Sequence, residues 1–183
     1  MKAVIQRVKS ASVTVDGQLI SSIGKGLLIL AAIAKEDTAK EAESMASKVL
    51  KVKLWDDDQG GKWKKNVQEI DGEVLCVSQF TLLASTKKGN KPSFHASADA
   101  AKGKELYDLF FGQVRKLYRE DRVKDGVFQA MMDVGLVNDG PVTIEIDTNP
   151  PNMDNPSGFQ TPDSETFKGH MHKTFEYPAE LLE

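Results

Sequence analysis

The sequence has few of the residues on which most hydrolase and metal sites depend. Its 183 residues include one cysteine, Cys76, and three histidines, two of which lie close together at His170 and His172. A single cysteine excludes an internal disulfide framework and a cysteine-rich zinc site. Two histidines without further ligands around them do not complete a metal site. We therefore expect neither a metal site nor a cofactor.

The common pairs of nucleophile and base are also missing. A Ser-His-Asp or Cys-His mechanism needs a histidine close to its nucleophile. The remaining histidine, His95, is more simply an ordinary loop residue than a general base. Cys76 lies in the apolar run VLCV, which favours a buried structural thiol over a nucleophile. Thr81 is a conceivable nucleophile by residue type, but its motif contains no base. An esterase that uses Thr81 or Cys76 stays an alternative.

The sequence shows no targeting or membrane-spanning segment. No run approaches the 18 apolar residues of a transmembrane helix, and the first residues have no basic stretch that leads into an apolar one. We therefore expect a soluble, cytoplasmic protein without a membrane partner.

The chain also lacks a basic excess. Its net charge is −3, and residues 148–183 hold six acidic residues against two lysines, so the remainder carries about +1. Such a chain does not bind nucleic acid by charge alone, and an RNA ligand needs a local site. Two lysine patches could form one, although solvated loop lysines are the simpler interpretation. The patches are Lys62, Lys64 and Lys65 around Trp63, and Lys87, Lys88 and Lys91.

The patterns that are present predict one α+β domain over residues 1–147. Seven segments have the alternation or the apolar character of strands, at residues 2–9, 11–16, 18–23, 26–34, 73–82, 127–137 and 142–147. One helix is predicted to begin at a capping box formed by Thr38 and Glu41, and another spans residues 99–120. The expected fold has largely antiparallel sheets packed with two main helices. The acidic, proline-rich residues 148–183 predict an extended or partly disordered tail.

Two short, well separated motifs stand out, SQFTL at residues 78–82 and NDGPVT at residues 138–143. Locally, SQFTL is typical of the end of a strand. Asp139-Gly140 is a typical two-residue hairpin turn, with Pro141 opening the next strand. A Gly-Pro pair can also present rigid, bare carbonyl groups to a ligand, because proline fixes φ and glycine has no side chain.

Together and in this order, the two motifs resemble those of the D-aminoacyl-tRNA deacylase family, SQ-x-T-L and N-x-G-P-x-T. Four further segments match the family in register, and the resemblance spans residues 1–147. They are VIQRV at residues 4–8, ASV at 11–13, GLL at 26–28 and GNKPSF at 89–94.

The resemblance implies hydrolysis of the ester bond of D-aminoacyl-tRNA, whose 3′ end is the bound partner. It further implies substrate-assisted catalysis by the 2′-hydroxyl of the terminal adenosine, which agrees with the missing nucleophile and base. Because an aminoacyl ester is already activated, the protein needs only to position it, stabilise the oxyanion and admit water. The candidate catalytic residues are Ser78, Gln79, Phe80 and Thr81, with the backbone N–H groups of Phe80 and Thr81 as oxyanion donors.

The resemblance also implies how chirality is selected. In the family the peptide that corresponds to Gly140-Pro141 is cis and enters the pocket of the partner subunit, where its carbonyls face the substrate's α-amino group. An L-residue held by the same groups would direct its side chain into that backbone. Arg7 is expected to brace this segment, and Phe128 and Met132 to line the adenosine side. The alternatives are an exposed strand arginine and two core residues.

This arrangement implies a two-fold homodimer with two equivalent sites. Glycine has no side chain to exclude, so glycine mischarged on tRNA-Ala is also an expected substrate. The chain departs from the family at Lys53, in a segment where members generally have arginine, and at Gln129, where glycine is common. An alternative function from another class is a non-catalytic module that binds the tRNA end.

Overall fold

The structure, a computed structural model, describes residues 1–149. They form six strands and two helices, with two short 3-10 helices, Phe80–Leu83 after the fourth strand and Glu120–Arg122 after the second helix. The elements are β1 (Lys2–Val15), β2 (Gln18–Ile23), β3 (Gly26–Ala32), α1 (Ala39–Lys51), β4 (Glu73–Ser78), α2 (Ala100–Leu117), β5 (Val123–Asp125) and β6 (Asp133–Asp147).

The long strand β1 organises one mixed sheet. β6 pairs antiparallel with β1 along nearly its whole length, and the opposite edge of β1 is shared by β3 and β2, both also antiparallel. β3, β4 and β5 are parallel neighbours. Parallel strands need a long crossover, and α1 and α2 lie in the two connections that join these strands. The predicted α+β class with two main helices is confirmed. The sheet is mixed, with three antiparallel and two parallel strand pairings.

Both faces of the central strands are buried. Along β3 the side chains alternate between two apolar clusters, with Leu27 and Ile29 on the side of the helices and Leu28 on the other side. Met45 of α1 and Phe110 of α2 complete the larger cluster. Each fully buried side chain of this size contributes about 1.5–3 kcal/mol relative to an exposed one. The continuous apolar character of β3 in the sequence follows from burial on both faces.

Both helices begin at polar caps, and the first of these is predicted from the sequence. Thr38 caps α1, since its N–H and its hydroxyl both donate to the Glu41 carboxylate, which lowers the pKa of Glu41. Asp99 caps α2, with its Oδ1 accepting the Lys102 N–H at 3.0 Å. This second cap fixes the first turn of α2 beside the cavity described below.

Four of the predicted strand segments need correction. Residues 2–9 and 11–16 belong to one strand, because pairing with β6 continues past the exposed Lys9 and Ser10 through shifts of register. The strand predicted over 73–82 ends at Ser78, where the chain turns into a 3-10 helix. The strand predicted over 127–137 begins only at Asp133, because Gln129 has a φ of +62°, which a strand residue does not adopt.

The predicted hairpin turn at Asp139-Gly140 is wrong. β6 continues through this dipeptide, and residues 139–142 form a bulge in its pairing with β1. The Asn138 side chain closes the bulge, because its Oδ1 accepts the Val142 N–H at 2.7 Å. An internal side-chain bond thus replaces the hairpin bond that the local sequence suggests, and the segment protrudes from a continuous strand.

Only the first two residues of the predicted tail, 148–183, are described. The Thr148 N–H donates to the Met1 carbonyl at 2.9 Å, which extends the pairing of β6 beyond its last residue. Among residues 1–149, no helix combines the length and the apolar character that crossing a membrane requires.

Candidate active site

A cavity of about 690 Å³ opens where β4 ends. The end of β4, the 3-10 helix that follows, the first turn of α2 and the segment between β5 and β6 form its wall. Its volume lies in the usual range of small-molecule sites, about 300–1,000 Å³. The predicted site residues that line it are Ser78, Gln79, Phe80, Thr81, Phe128 and Met132.

The backbone of the SQFTL motif is fixed by the neighbouring strand. The Gln79 N–H donates to the Ala31 carbonyl of β3 at 2.7 Å, and the chain then enters the 3-10 helix. The first N–H groups of a helix have no partner within it. In the described part of the chain no acceptor pairs with the N–H of Phe80 or of Thr81. Two adjacent backbone donors therefore belong to residues of the cavity wall.

The side chains of this motif contact each other. Gln79 Nε2 donates a hydrogen bond of 2.5 Å to Thr81 Oγ1. A carboxamide is not a base at neutral pH, so Gln79 orients Thr81 without activating it as a nucleophile. Phe80 is 55% exposed, and its ring lies edge-on to that of Phe94 with centroids 5.0 Å apart.

Phe128 and Met132 form the opposite part of the wall. Met132 Sδ accepts the Val127 N–H at 3.3 Å, and the Phe128 ring lies 5.8 Å from the ring of Tyr107. Both side chains pack against apolar clusters with one side and line the cavity with the other. They are therefore not fully enclosed core residues.

Gln129 lines the same cavity with an unusual backbone conformation. Its φ of +62° lies in the left-handed region, which residues with a Cβ adopt only at a cost. This position is where glycine is common in the family that the sequence resembles. Gln129 thus has a backbone conformation that favours glycine, and it contributes a side chain to the cavity lining.

Sequence reasoning missed a polar pair behind Phe128. The buried Tyr107 donates its hydroxyl proton to Asp125 Oδ1 at 2.5 Å. Burial raises the pKa of Tyr107 well above its ordinary value and also raises that of the Asp125 carboxyl, although the bond from Tyr107 opposes the second effect. The sequence signal for this pair is Tyr107, a tyrosine beside the apolar stripe of α2.

The other three predicted site residues lie on β1 and β6. Arg7 Nε donates to the Asp139 carbonyl at 2.8 Å, and its Nη1 donates to the Leu54 carbonyl. The Arg7 side chain is only 17% exposed, so it is not an exposed strand arginine. The Gly140-Pro141 peptide is cis and exposed.

Trp63 extends this second group of residues. Its ring is 53% exposed and lies with its centroid 6.0 Å from Arg7 Cζ.

None of Arg7, Gly140 and Pro141 lines the cavity of its own chain. The predicted site residues therefore form two separate groups within one protomer, a cavity group and a Gly-Pro group.

The alternative nucleophiles and bases do not form a site. Cys76 is fully buried, and burial together with the charge of Asp125 raises its pKa well above the ordinary value. His95 Nδ1 lies 3.1 Å from Ser93 Oγ, outside the cavity lining. Residues 1–149 contain no group of three or more side chains that could hold a metal ion, and His170 and His172 lie outside that range.

Comparison with known proteins identifies the family. The D-Tyr-tRNA(Tyr) deacylase family matches residues 4–147. D-aminoacyl-tRNA deacylase of Yarrowia lipolytica is 55% identical over 150 residues, which cover 81% of this chain and 97% of that protein. D-aminoacyl-tRNA deacylase 1 of Homo sapiens is 48% identical over 151 residues, which cover 82% of this chain and 72% of that protein. The chain therefore belongs to the D-Tyr-tRNA(Tyr) deacylase family.

Two solved structures share the fold. One described as c-Myc DNA Unwinding Element Binding Protein has a TM-score of 0.79 and 48% identity, covering 82% of this chain and all of that chain. A probable eukaryotic D-amino acid tRNA deacylase has the same fold, with a TM-score of 0.68 at 18% identity, covering 79% of this chain and 97% of that one. The predicted family and the predicted enzyme class, a deacylase, are confirmed.

Proposed function

We propose that the protein hydrolyses the ester bond of D-aminoacyl-tRNA to free D-amino acid and tRNA, and that it rejects L-aminoacyl-tRNA. Membership of the deacylase family carries this proposal. The cavity supports it, because Phe80 and Thr81, whose backbone N–H groups have no acceptor within residues 1–149, line it together with apolar side chains. Within the same residues the Thr81 hydroxyl is bonded to Gln79 and to no base. An activated ester needs little more than such positioning and oxyanion stabilisation.

In the proposed reaction the substrate provides the proton-transfer group. The terminal adenosine lies against Phe128 and Met132, and its 2′-hydroxyl is next to the ester carbonyl. Water adds to that carbonyl carbon while the 2′-hydroxyl relays the proton, and the N–H groups of Phe80 and Thr81 donate to the oxyanion. The ribose oxygen then leaves with a proton. Gln79 and Ser78 shape the pocket around the acyl group.

Chirality is proposed to be read by backbone atoms of a second subunit. Gly140 and Pro141 of the partner enter the cavity, and their carbonyls accept hydrogen bonds from the substrate's α-amino group. Three observations support a homodimer of this kind. The Gly-Pro segment is exposed, it lies outside its own cavity, and within residues 1–149 the outer edge of β6 pairs with no strand. Leu136 and Val137 are exposed on the same strand.

Glycine follows from the same geometry as an additional substrate. A site that rejects L-residues by collision with backbone has nothing to collide with when the side chain is absent. Glycyl-tRNA, including tRNA-Ala mischarged with glycine, is therefore included in the proposal.

The first test is hydrolysis of D-tyrosyl-tRNA and L-tyrosyl-tRNA by the purified protein. Rapid release of D-tyrosine with L-tyrosine retained supports the proposal, and equal hydrolysis of both esters contradicts it. Tight binding of tRNA without any hydrolysis instead identifies a non-catalytic tRNA-end binding module.

Donation by the partner is tested by mixing two inactive variants. In Gly140→Ala the new Cβ would lie 2.7 Å from Val142 Cγ2, at a φ of +144°, so the Gly-Pro segment is displaced. Gln79→Ala alters the cavity and leaves that segment intact. Subunits exchanged between the two variants should regain roughly a quarter of the wild-type rate, because half of the dimers then contain one complete site of two. Absence of recovery contradicts donation by the partner.

A further inference from the structure

One basic segment of the described chain is not used by the proposed function. We define the lysine loop as residues 85–93, which contain Lys87, Lys88 and Lys91. Its ends are joined by two backbone bonds, from the Ser85 N–H to the Ser93 carbonyl at 2.8 Å and from the Ser93 N–H to the Ser85 carbonyl at 2.9 Å. The lysines therefore lie on a closed, exposed loop.

Both ends of this loop are anchored to the cavity wall. The chain leaves the cavity at Thr81 and returns to it at Ala98. Phe94 packs edge-on against Phe80 at 5.0 Å, and Ser97 Oγ donates to the Phe80 carbonyl at 3.3 Å. The position of the lysine loop is thus tied to a residue that lines the cavity.

The charge of the loop is not neutralised by the protein. Residues 81–98 contain no aspartate or glutamate, and none of the three lysines has an ion-pair partner within residues 1–149. The second lysine patch differs, since Lys62 pairs with Asp56 and Lys65 pairs with Asp58, each at 2.7 Å. A local excess of positive charge therefore stands beside the cavity of a protein with a net negative charge.

We propose that the lysine loop binds backbone phosphates of the single-stranded 3′ end of tRNA. This inference rests on the proposed function, which places the terminal adenosine in the cavity. The nucleotides that precede the adenosine must leave through the cavity mouth, and each brings one phosphate charge. Lysine contacts to phosphate position a nucleic acid without reading its sequence, and they make its affinity dependent on salt.

The test compares two triple variants that remove equal charge and keep the length of the side chain. One is Lys87→Gln/Lys88→Gln/Lys91→Gln in the lysine loop. Its matched control is Lys40→Gln/Lys48→Gln/Lys51→Gln, in which three exposed lysines of α1 lie outside the cavity lining. For each protein, KM and kcat are measured with D-tyrosyl-tRNA and with D-tyrosyl-adenosine, which has no phosphate. The affinity for uncharged tRNA is measured between 50 and 200 mM salt.

The lysine-loop variant is expected to raise KM for the tRNA substrate about tenfold at low salt, with kcat and the adenosine ester unaffected. The slope of log affinity against log salt should become shallower by about 2, because three single-strand phosphate contacts contribute about 0.7 each. The α1 control should behave like the wild type. An unchanged KM and slope overturns the inference, as does an equal loss in the control or with the adenosine ester.

Failure of the proposed function gives a different result. If the wild type hydrolyses no ester but its affinity for uncharged tRNA still depends on salt and on the three lysines, the phosphate site stands and the deacylase proposal falls. If the ester is hydrolysed and the lysines do not matter, only the phosphate site falls.

Discussion

Tyr107 lies between Asp125 and the cavity wall, with its hydroxyl bonded to the Asp125 carboxyl and its ring 5.8 Å from that of Phe128. The residue therefore supports the proposed adenosine wall from behind. It does not itself line the cavity. A contact of this kind acts on the position of Phe128 rather than on the reacting atoms.

Replacing Tyr107 by phenylalanine tests this support. The Tyr107→Phe variant removes the hydroxyl that donates to the partly buried Asp125 carboxyl, and the free energy of unfolding should fall by about 1–3 kcal/mol. KM for D-aminoacyl-tRNA should rise severalfold with little change in kcat. Tyr118→Phe is the matched control, because it also removes a tyrosine bond, to the Gly72 carbonyl at 2.8 Å, away from the cavity. Equal effects of both variants on KM would contradict the positioning role.

The raised pKa of Asp125 predicts a particular pH dependence of stability. The folded state holds the Asp125 proton more tightly than the unfolded state, whose pKa is about 4. The stabilising contribution is therefore complete below that pH and is lost as the pH rises through the folded-state value. The difference in unfolding free energy between the wild type and Asp125→Asn should fall over this range and then level off.

Asp121 provides a control of opposite sign. Its hydrogen bond from Arg119 lowers the pKa of its carboxyl, so its contribution is present above the unfolded pKa and is lost as the pH falls. The difference between the wild type and Asp121→Asn should therefore rise with pH. The same direction for both variants in denaturant titrations would contradict the assigned environments.

Arg7 of β1 donates to two carbonyl groups, that of Asp139 beside Gly140-Pro141 and that of Leu54. Lysine at this position keeps the charge but cannot donate to both the Asp139 and the Leu54 carbonyls with a rigid fork. Charged hydrogen bonds contribute about 1.5–3 kcal/mol, so kcat/KM for the D-ester should fall about tenfold or more in Arg7→Lys. Lys2→Gln, which removes the 3.0 Å ion pair to Glu145 between the same strands, should leave kcat/KM unchanged. A similar loss in Lys2→Gln would show a general effect of the strand pair.

The backbone of Gln129 predicts a stabilising substitution. Glycine adopts the left-handed φ of +62° without strain, although it has more conformational entropy to lose on folding. Because relief of the strain is the larger effect, Gln129→Gly should raise the free energy of unfolding by about 0.5–1 kcal/mol. Ala130→Gly, one residue further along, has no such strain to relieve and should lower it by about 0.5–1 kcal/mol. Chemical denaturation of both variants checks this, and destabilisation by Gln129→Gly would contradict it.

Much of the fold could be predicted because it is encoded locally. The strand over residues 18–23, the capping box at Thr38 and the start of the second helix near Asp99 are where the sequence predicts them. The order of strands in the sheet could not be read in this way, because it depends on which distant strands hydrogen-bond along each edge, as β1 and β4 do on the two sides of β3. The bulge at residues 139–142 is not predicted from the sequence for a similar reason, because a side-chain bond of Asn138 closes it.

The candidate site, like the fold, could be predicted from the sequence only in part. The motif at residues 78–82 and the segment around Phe128 could be assigned to one site only through the family resemblance, and the fold brings them to one cavity. Tyr107 and Asp125 carry no motif, because a supporting pair is defined by contacts that form only in the folded chain. The roles given to Gly140, Pro141 and Arg7 stay predictions.

The central claim is that the substrate, rather than a side chain, provides the chemistry, and one measurement tests it directly. The rate of hydrolysis is compared for D-tyrosine esterified to the 3′-hydroxyl of tRNA that ends in adenosine and of tRNA that ends in 2′-deoxyadenosine, with wild type and Thr81→Val. We predict that the enzyme accelerates hydrolysis of the first ester and not of the second, and that Thr81→Val retains measurable activity on the first. Equal acceleration of the deoxy ester, abolished by Thr81→Val, would contradict the account and identify Thr81 as the nucleophile.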